Sequence, residues 1–325
     1  MEKISSCVVT VFNEEESIVL LLNALVAQTI VPSEIIFVDA GSTDKTQEII
    51  QSFSKKYKNS NIKLFIKKGN RAVGRNFGIT KSKGKIILVA DAGCIPDKNW
   101  VKNLLRNFKG NVDVVSGFYY SGARTPFTQS AAAYTCVMEE KVNPLDFLPS
   151  SRSIAFKKSI WKKVGGYPEY LDTCEDLVFS RNLKKTGAQF VFERKAFVIW
   201  PQETNIISAF NQLYGYAVGD GQALYIRAQT PLLFGRYLVG IILLVLCIFY
   251  ESMHLLLFLI VGLLLYLSWA VLKNKRFVES QRAYFYLPLL QLTSDIAVIL
   301  GMVKGFMRRL VIEDKTNAAA AKSFR

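Results

Sequence analysis

Cysteine and histidine are scarce in this chain of 325 residues, and neither is spaced as a metal site requires. The five cysteines lie far apart without a CxxC pair, and the single histidine, His254, borders a long apolar run. Zinc sites need clustered cysteine or histidine ligands, and disulfide scaffolds need a dense set of cysteines. The sequence therefore predicts neither, and its scattered thiols are typical of a reducing compartment.

The glycine-rich loops that hold nucleotides in many proteins are also missing. The turn after the first apolar strand reads TVFNEEES, which lacks the GxGxxG pattern of dinucleotide-binding folds, and no Walker-type lysine loop is found. A nucleotide bound to this chain would therefore be held by carboxylates and backbone groups.

The net charge of +15 lacks the distribution typical of nucleic-acid-binding proteins. Most of the excess positive charge lies in residues 1–230, where no basic stripe is interleaved with stacking aromatic residues. We therefore expect no nucleic-acid partner. The charge favours attraction to anionic membrane lipids and to phosphate-bearing substrates.

Long apolar runs are confined to the last third of the chain. Residues 232–250 and 254–272 are long enough to cross a bilayer. Residues 283–303 form a weaker third candidate, either a span or an interfacial helix, because this segment contains Gln291 and Asp295. The sequence thus predicts a membrane protein with two or three spans.

The flanking residues predict the orientation of these spans. The basic run KNKR follows the second span, so the positive-inside rule places that end in the cytoplasm, and we expect no secretory signal at the start of the chain. We predict a multi-pass protein of the cell membrane. Its expected parts are a cytoplasmic domain in 1–230, transmembrane or interfacial helices in 231–310 and a tail in 311–325.

Residues 1–230 alternate apolar strand patterns with helical patterns. Such alternation predicts an α/β fold with a mostly parallel, doubly wound sheet. Ligands of these sheets bind outside the carboxyl ends of the strands, where Asp39 and Asp91 stand. The predicted strands lie in 5–12, 34–44, 62–68 and 85–91, and the predicted helices in 17–28, 44–57 and 72–82.

Asp91 interrupts a buried strand pattern in the stretch KIILVADAGCIPDKNW. An acid at this point is commonly a turn former or a helix cap. It could equally be the ligand of a divalent cation bound to a diphosphate, since such cations take one or two carboxylates together with phosphate oxygens and water. Position alone leaves both interpretations open.

Four motifs in sequence order resemble the family 2 glycosyltransferases. They read VTVFNEEES, VDAGSTDKT, RAVGRNFGITKSKGKIILVADAG and GGYPEYLDTCEDLVFSRNLKKTG, and the resemblance covers about residues 4–220. It implies the GT-A fold, a Rossmann-like nucleotide-sugar-binding domain. It also implies inverting transfer of a hexose from a nucleotide-diphosphate sugar, assisted by a divalent cation, Mg²⁺ or Mn²⁺.

The resemblance also implies roles for individual residues. Asp91 matches the first acid of the DxD metal motif, and Asp176 with Glu175 matches the catalytic pair whose aspartate is the base. Arg152 falls where the family faces its acceptor. The implied donor-binding residues are Thr10, Phe12, Glu14, Asp39, Arg71, Arg75, Asn76 and Asp91.

Three positions depart from the family pattern. Ala40 replaces the second acid of the DDGS turn, and Gly93 stands where the DxD motif has its second acid. Metal coordination must then depend on Asp91 with water, phosphate or another side chain. Gly215 stands where processive members carry the arginine of QxxRW, which disfavours a cellulose-synthase-like polymerase.

The acceptor side rests on weaker signals. A hydroxyl acceptor needs a base and a phosphate acceptor does not, so Asp176 favours a hydroxyl, although acids in a first helical turn also suit the helix dipole. Arg227 and Arg236 lie among tyrosines before and within the first span. They could be snorkelling residues of an interfacial belt, or could guide a lipid phosphate to the site.

The expected function is transfer of a hexose to a lipid-linked saccharide or glycan at the cytoplasmic membrane face. Two alternatives remain. One is a polyprenyl-phosphate sugar synthase similar to dolichyl-phosphate mannose synthase. The other is a non-catalytic nucleotide-binding membrane scaffold, suggested by Ala40 and Gly93, which would bind nucleotide without turnover.

Overall fold

The computed structural model of the chain describes the backbone of residues 4–323 and the side chains of residues 4–311. The chain divides into two compact units. The first comprises Met1–Gly122 and Met138–Pro201, and the second comprises Ala123–Val137 and Gln202–Arg325. The sequence becomes strongly apolar near residue 231, which is the boundary expected from composition. The second unit resumes earlier, at Gln202, because the helix before the first apolar run packs within that unit.

Among the described residues of the first unit, eight strands form one sheet in the order β3-β2-β1-β4-β7-β6-β8-β5. The strands are β1 (Ser5–Val11), β2 (Glu34–Asp39), β3 (Ile62–Ile66), β4 (Ile86–Val89), β5 (Ile95–Pro96), β6 (Val114–Ser121), β7 (Ile154–Lys157) and β8 (Phe190–Trp200).

The helices of both units are α1 (Ile18–Val26), α2 (Thr46–Lys56), α3 (Arg71–Lys81), α4 (Trp100–Leu105), α5 (Pro126–Thr135), α6 (Lys158–Lys163), α7 (Glu175–Lys185), α8 (Ile206–Gln222), α9 (Thr230–Phe249), α10 (Met253–Asn274) and α11 (Ala283–Ser323). Of these, α5 and α8 to α11 belong to the second unit.

The sheet confirms the predicted fold class. Strands β1, β2, β3 and β4 are parallel, and so are β6 and β8, while β7 runs antiparallel between β4 and β6. The central strands are near-continuous apolar runs because both faces of a parallel sheet are covered. Every residue of β2 is buried. The main hydrophobic core combines apolar residues of the central strands, such as Val8 and Ile36, with apolar residues of the helices, such as Ile79 and Phe179.

Helix α3 lies directly against the sheet because two of its residues have no side chain. A Cβ on Gly74 would come within 2.7 Å of Thr10 Cγ2, and a Cβ on Gly78 would come within 2.6 Å of Val8 Cγ1. Glycine at these two positions allows the close approach. The helix then carries Arg75 into the interior of the unit.

The second unit contains three helices long and apolar enough to cross a membrane, Thr230–Phe249, Met253–Phe277 and Ala283–Val311. All three predicted apolar segments are therefore helical, including the one that contains Asp295. Many of their large apolar side chains are exposed in the protein alone, which is the pattern of a surface covered by lipid. The backbone of α11 continues to Ser323, so most of the segment expected as a tail is helical.

Helices α8 and α11 pack closely through glycine. A Cβ on Gly305 would lie 2.1 Å from the carbonyl oxygen of Val218, and a Cβ on Gly221 would lie 2.5 Å from that of Met302. Glycines on the facing sides of two helices let their backbones approach in this way. This contact explains why α8 belongs to the second unit although it is less apolar than the three long helices.

Candidate active site

The candidate site forms at one edge of the sheet, where parallel strands end together. Val11 of β1 is in register with Asp39 of β2, and β4 ends at Val89, two residues before Asp91. Both aspartates stand at carboxyl ends of strands, as the sequence predicts: Asp39 is the last residue of β2, and Asp91 lies just after β4. Parallel strands β1, β2 and β4 therefore bring their following turns to a common edge.

Arg75 connects this edge to helix α7. Its side chain is 1% exposed, and its guanidinium donates through Nη2 to Asp91 Oδ1 at 2.7 Å and through Nη1 to Glu175 Oε1 at 2.5 Å. The guanidinium carbon lies 5.3 Å from the ring centre of Tyr167. One buried cation thus fixes the positions of two carboxylates that are far apart in sequence.

The charges around Asp91 keep it ionised. Burial acts to raise the pKa of Asp91, but Arg75, Arg152 and Arg71 outweigh burial and hold that pKa below its usual range. Burial also opposes the charge of Arg75, yet attraction to Asp91 and Glu175 raises its pKa. At this edge of the sheet, arginines therefore surround the Asp91 carboxylate, and arginines in such an arrangement are suited to binding a phosphate-bearing ligand.

Glu175 and Asp176 begin helix α7 and differ in environment. Glu175 is buried, and burial raises its pKa despite the attraction of Arg75. Asp176 is half-buried; its carboxylate accepts hydrogen bonds from the backbone N–H of Leu177 at 2.7 Å and of Ser151 at 3.3 Å. Cys174, just before them, has a left-handed φ of +67°. Asp176 is the more accessible of the two carboxylates, as a base requires.

Two predicted donor-binding residues make extensive internal bonds. Asp39 accepts from the N–H groups of Gly41 and Ser42, from the Ser42 hydroxyl and from the Gln47 amide, and it thereby shapes the turn after β2. Asn76 donates to the Tyr167 carbonyl and the Glu169 carboxylate and accepts from the Tyr167 N–H and the Trp161 ring N–H. Their contact with a donor stays a prediction.

The other predicted donor-binding residues line the end of β1 and the start of α3. Phe12 is 57% exposed, and Thr10 lies against α3. Glu14 accepts a hydrogen bond from the Ser17 hydroxyl. Burial raises the pKa of Glu14, opposed by Ser17 and by Arg71, the exposed first residue of α3. Binding of a nucleotide base or ribose by these residues stays a prediction.

Arg152 is placed by aromatic residues that sequence reasoning missed. Its guanidinium carbon lies 3.7 Å from the centre of the Trp200 ring and 5.1 Å from that of Tyr119, and its charge acts on Asp91. The rings of Tyr119 and Trp200 meet edge to face with centres 5.7 Å apart, near the ends of the parallel strands β6 and β8. Their position beside Arg152 depends on the pairing of β6 with β8, and no short motif in the sequence marks either aromatic residue.

The side chains that the structure describes near Asp91 offer too few ligands to hold a divalent cation by themselves, so a cation fits there only together with the phosphate of a substrate. Among the side chains described, no group of three His, Cys, Asp or Glu residues could hold a metal ion. One oxygen of Asp91 bonds Arg75, and its side chain is 30% exposed. A single carboxylate can hold Mg²⁺ or Mn²⁺ when a diphosphate and water complete the coordination. Gly93 supplies no second ligand, although a Cβ there would meet no atom within 4 Å.

The predicted acceptor residues Arg227 and Arg236 lie in the second unit. Arg227 pairs with buried Asp220, through Nε to Oδ2 at 2.5 Å and Nη2 to Oδ1 at 3.0 Å. Arg236 pairs with buried Asp295 at 3.4 Å. Both arginines are therefore held by acids of their own unit, and contact with an acceptor stays a prediction.

Comparison with known proteins gives consistent matches. Residues 6–149 match the model of Glycosyl transferase family 2. The chain is 28% identical over 193 residues to Glycosyltransferase AglE of Haloferax volcanii, covering 58% of this chain and 63% of the relative. It is 32% identical over 122 residues to Glycosyltransferase GlyG of Streptococcus pneumoniae, covering 37% and 40%. The match thus spans less than two thirds of either relative.

A third relative carries a more specific name. It is the dolichyl N-acetyl-alpha-D-glucosaminyl phosphate 3-beta-D-2,3-diacetamido-2,3-dideoxy-beta-D-glucuronosyltransferase of Methanococcus voltae, 29% identical over 107 residues, which cover 32% of this chain and 33% of that protein.

Solved structures share the fold. A mannosyltransferase from Pyrobaculum calidifontis, in complex with GDP-Man and Mn²⁺, aligns with a TM-score of 0.63 at 16% identity over 93% of this chain and 86% of that chain. TarS 1–349 of S. aureus, in complex with UDP-GlcNAc, aligns with a TM-score of 0.50 at 18% identity over 92% and 90%.

Proposed function

Since this chain carries a family 2 glycosyltransferase domain of the GT-A fold, we propose that it transfers a hexose from a nucleotide-diphosphate sugar to a lipid-linked saccharide or glycan acceptor, with inversion. The proposed place of the reaction is the cytoplasmic face of the cell membrane. Three helices long and apolar enough to span a bilayer support a membrane location. The basic run after the second of them supports the cytoplasmic side.

The observation that carries the proposal is the position of Arg75. It holds Asp91, on the donor side, and Glu175, the neighbour of the proposed base Asp176, on one guanidinium. Transfer needs the leaving diphosphate and the base to be positioned together, because orientation supplies a large part of the rate. A buried arginine that donates one hydrogen bond to each of two carboxylates provides such positioning without itself reacting.

We assign each residue of the site a role in the proposed transfer. Arg71 and Arg152 face the diphosphate, and Asp91 would hold the cation. Asp176 takes the proton of the acceptor hydroxyl as the hydroxyl oxygen attacks the anomeric carbon and the nucleoside diphosphate leaves. A bound Mg²⁺ or Mn²⁺ supplies neutralisation of the negative charge that develops on the leaving diphosphate. The arginines act in the same direction, since they also stabilise that charge.

The acceptor proposal rests on two supports. The proposed base favours a hydroxyl over a phosphate, because a phosphate oxygen attacks without losing a proton. The Methanococcus voltae relative is named for a dolichyl-linked sugar phosphate, which supports a lipid-linked saccharide here. A polyprenyl-phosphate sugar synthase is the second candidate, distinguished by a product with a sugar-phosphate linkage.

The test is nucleotide release by the detergent-purified full chain from a panel of nucleotide sugars, with and without divalent cation and with membrane lipid extract as acceptor. Asp91→Ala and Asp176→Asn are compared with the parent. Release from one donor that requires both residues supports the proposal. Nucleotide binding without release in every condition would overturn it in favour of the scaffold.

A further inference from the structure

One buried carboxylate joins the three apolar helices of the second unit. Asp295 of α11 is 4% exposed. Its Oδ2 accepts from the hydroxyl of Tyr237 on α9 at 3.0 Å and from that of Tyr266 on α10 at 2.6 Å. Its Oδ1 accepts from Gln291 Nε2 at 2.9 Å and lies 3.4 Å from Nη2 of Arg236. We name these five residues the Asp295 cluster.

Arg236 is the incompletely satisfied member of the Asp295 cluster. A guanidinium has five N–H donors, and among the residues whose side chains are described, Asp295 is its one ion-pair partner and no hydrogen bond uses the others. The side chain is 38% exposed. Its guanidinium carbon lies 4.1 Å from the Tyr266 ring centre, so ring and carboxylate together hold it in place.

The depth of Arg236 decides what can bind it. Arg236 follows the start of α9 by six residues, about 9 Å along a helix axis. An arginine exposed at this depth of an apolar helix is costly unless an anion or the headgroup region satisfies it. Asp295 is one such anion, 3.4 Å from Nη2 of Arg236, and the second anion available there is the phosphate of a lipid.

A second cation, Lys273, lies on the face of α10 that carries Tyr266. The rings of Tyr266 and Trp269 stack with centres 5.8 Å apart, and Lys273 Nζ lies 4.7 Å from the Trp269 ring centre. Residues at these spacings share one side of a helix. The aromatic rings therefore lead from Arg236 to a lysine near the helix end, where lipid headgroups are expected.

We propose that Arg236, oriented by Asp295 and Tyr266, binds the phosphate group of a membrane lipid. The lipid phosphate has two sources, a polyprenyl-phosphate-type acceptor and a bulk phospholipid. The assignment of this lipid as the acceptor rests on the proposed function. Phosphate binding itself does not, and it can be measured without any sugar donor.

The experiment is equilibrium binding to the full chain in detergent, with three probes: geranylgeranyl phosphate, the uncharged geranylgeraniol and dioleoylphosphatidylglycerol. The variant is Arg236→Gln, and the control is Arg282→Gln, an exposed arginine of the same unit outside the cluster. We expect the parent to prefer geranylgeranyl phosphate over the alcohol. Arg236→Gln should weaken phosphate-lipid binding by roughly tenfold or more, since charge-assisted bonds are lost, while Arg282→Gln leaves it unchanged.

The three probes distinguish the sources. Loss confined to geranylgeranyl phosphate assigns the site to the acceptor, loss confined to phosphatidylglycerol assigns it to bulk lipid, and loss of both assigns it to any lipid phosphate. Unchanged binding of both phosphate lipids by Arg236→Gln overturns the proposal. Nucleotide release is measured separately, so a failure of the proposed function is recognised independently.

A second variant separates binding from folding. Arg236→Gln leaves Asp295 without its cation, which destabilises a buried site. The double variant Arg236→Gln/Asp295→Asn removes both charges: the asparagine oxygen can accept from the two tyrosine hydroxyls, and its NH₂ group can donate to the Gln291 amide oxygen once that amide turns over. Thermal unfolding establishes that it is folded, and phosphate-lipid binding at the parent affinity by the folded double variant would equally overturn the proposal.

Discussion

Arg75 is the side chain with the largest expected effect on the site. Replacement by glutamine leaves Asp91 and Glu175 without their shared cation, and breaking a buried ion pair costs about 3–5 kcal/mol. We expect Arg75→Gln to lower the thermal midpoint clearly and to abolish nucleotide release. Differential scanning calorimetry and the release assay measure the two effects.

The control for Arg75→Gln is Arg106→Gln. Arg106 also pairs with a glutamate, Glu193, but its side chain is 46% exposed. Surface pairs of this kind contribute about 0–1 kcal/mol. An equal loss of stability in both variants would contradict the central position given to Arg75.

Gly93 offers a direct test of the metal arrangement. A Cβ there would meet no atom within 4 Å, so Gly93→Asp can add the second carboxylate that the DxD pattern has and this chain lacks. We expect the divalent cation concentration for half-maximal nucleotide release to fall by about tenfold, because a second carboxylate adds a charged ligand for a hard cation.

The control at this position is Gly93→Asn, which has the same shape without the charge. Titration of Mg²⁺ and Mn²⁺ against nucleotide release compares the variants. If asparagine lowers the required concentration as much as aspartate does, the effect is not coordination by a carboxylate, and the single-ligand description of the site is wrong.

At the scale of elements, the contact between α8 and α11 is set by glycine. Gly305→Leu would place side-chain atoms where the Val218 carbonyl stands, so the two helices would have to separate. We expect a lower thermal midpoint and faster proteolysis of the second unit. Gly262→Leu is the control, since a Cβ on Gly262 of α10 meets no atom within 4 Å. Equal destabilisation by both would show that the glycine contact is unimportant.

Strand order explains which site residues the sequence could predict. Asp39 and Asp91 were predictable because both stand at the carboxyl ends of strands of one local β-α-β series, and parallel strands end at the same edge. The double pairing of Arg75 was not predictable, because Glu175 comes 100 residues later and reaches Arg75 only through the fold. Trp200 was missed for the same reason, since β8 pairs with β6 from a distant part of the chain.

The membership of α5 in the second unit was also beyond sequence reasoning. The segment PFTQSAAAYT is neither strongly apolar nor charged, and its buried face is made of small residues such as Ala131. Its attachment rests on contacts that no short motif predicts, such as the Tyr134 hydroxyl donating to the Leu287 carbonyl at 2.8 Å. Long apolar runs were predictable because length and hydrophobicity alone define them.

At the scale of the whole molecule, the division into units predicts which fragments are soluble. A fragment of residues 1–230 retains α5 and α8 but loses their partner α11, which exposes their packed faces. We expect this fragment to aggregate. A fragment of residues 1–201 in which 123–137 is replaced by a Gly/Ser segment of equal length should remain monomeric, since it contains only the first unit.

Size-exclusion chromatography with light scattering measures both fragments, and circular dichroism establishes that the second is folded. A monomeric, folded 1–230 fragment would contradict the division and favour the boundary expected from composition. Nucleotide binding by the Gly/Ser variant would further show that the residues around Asp91 need no part of the second unit.

The Asp295 cluster has a consequence for biogenesis. If the three apolar helices span a bilayer as proposed, Asp295 makes α11 the most difficult of them to insert, because an isolated acid in hydrocarbon is costly. The residues that satisfy it, Arg236, Tyr237, Tyr266 and Gln291, all precede it in the chain. When α11 leaves the ribosome, α9 and α10 have therefore already been synthesised. The order of translation supplies the carboxylate with its partners before it enters the bilayer.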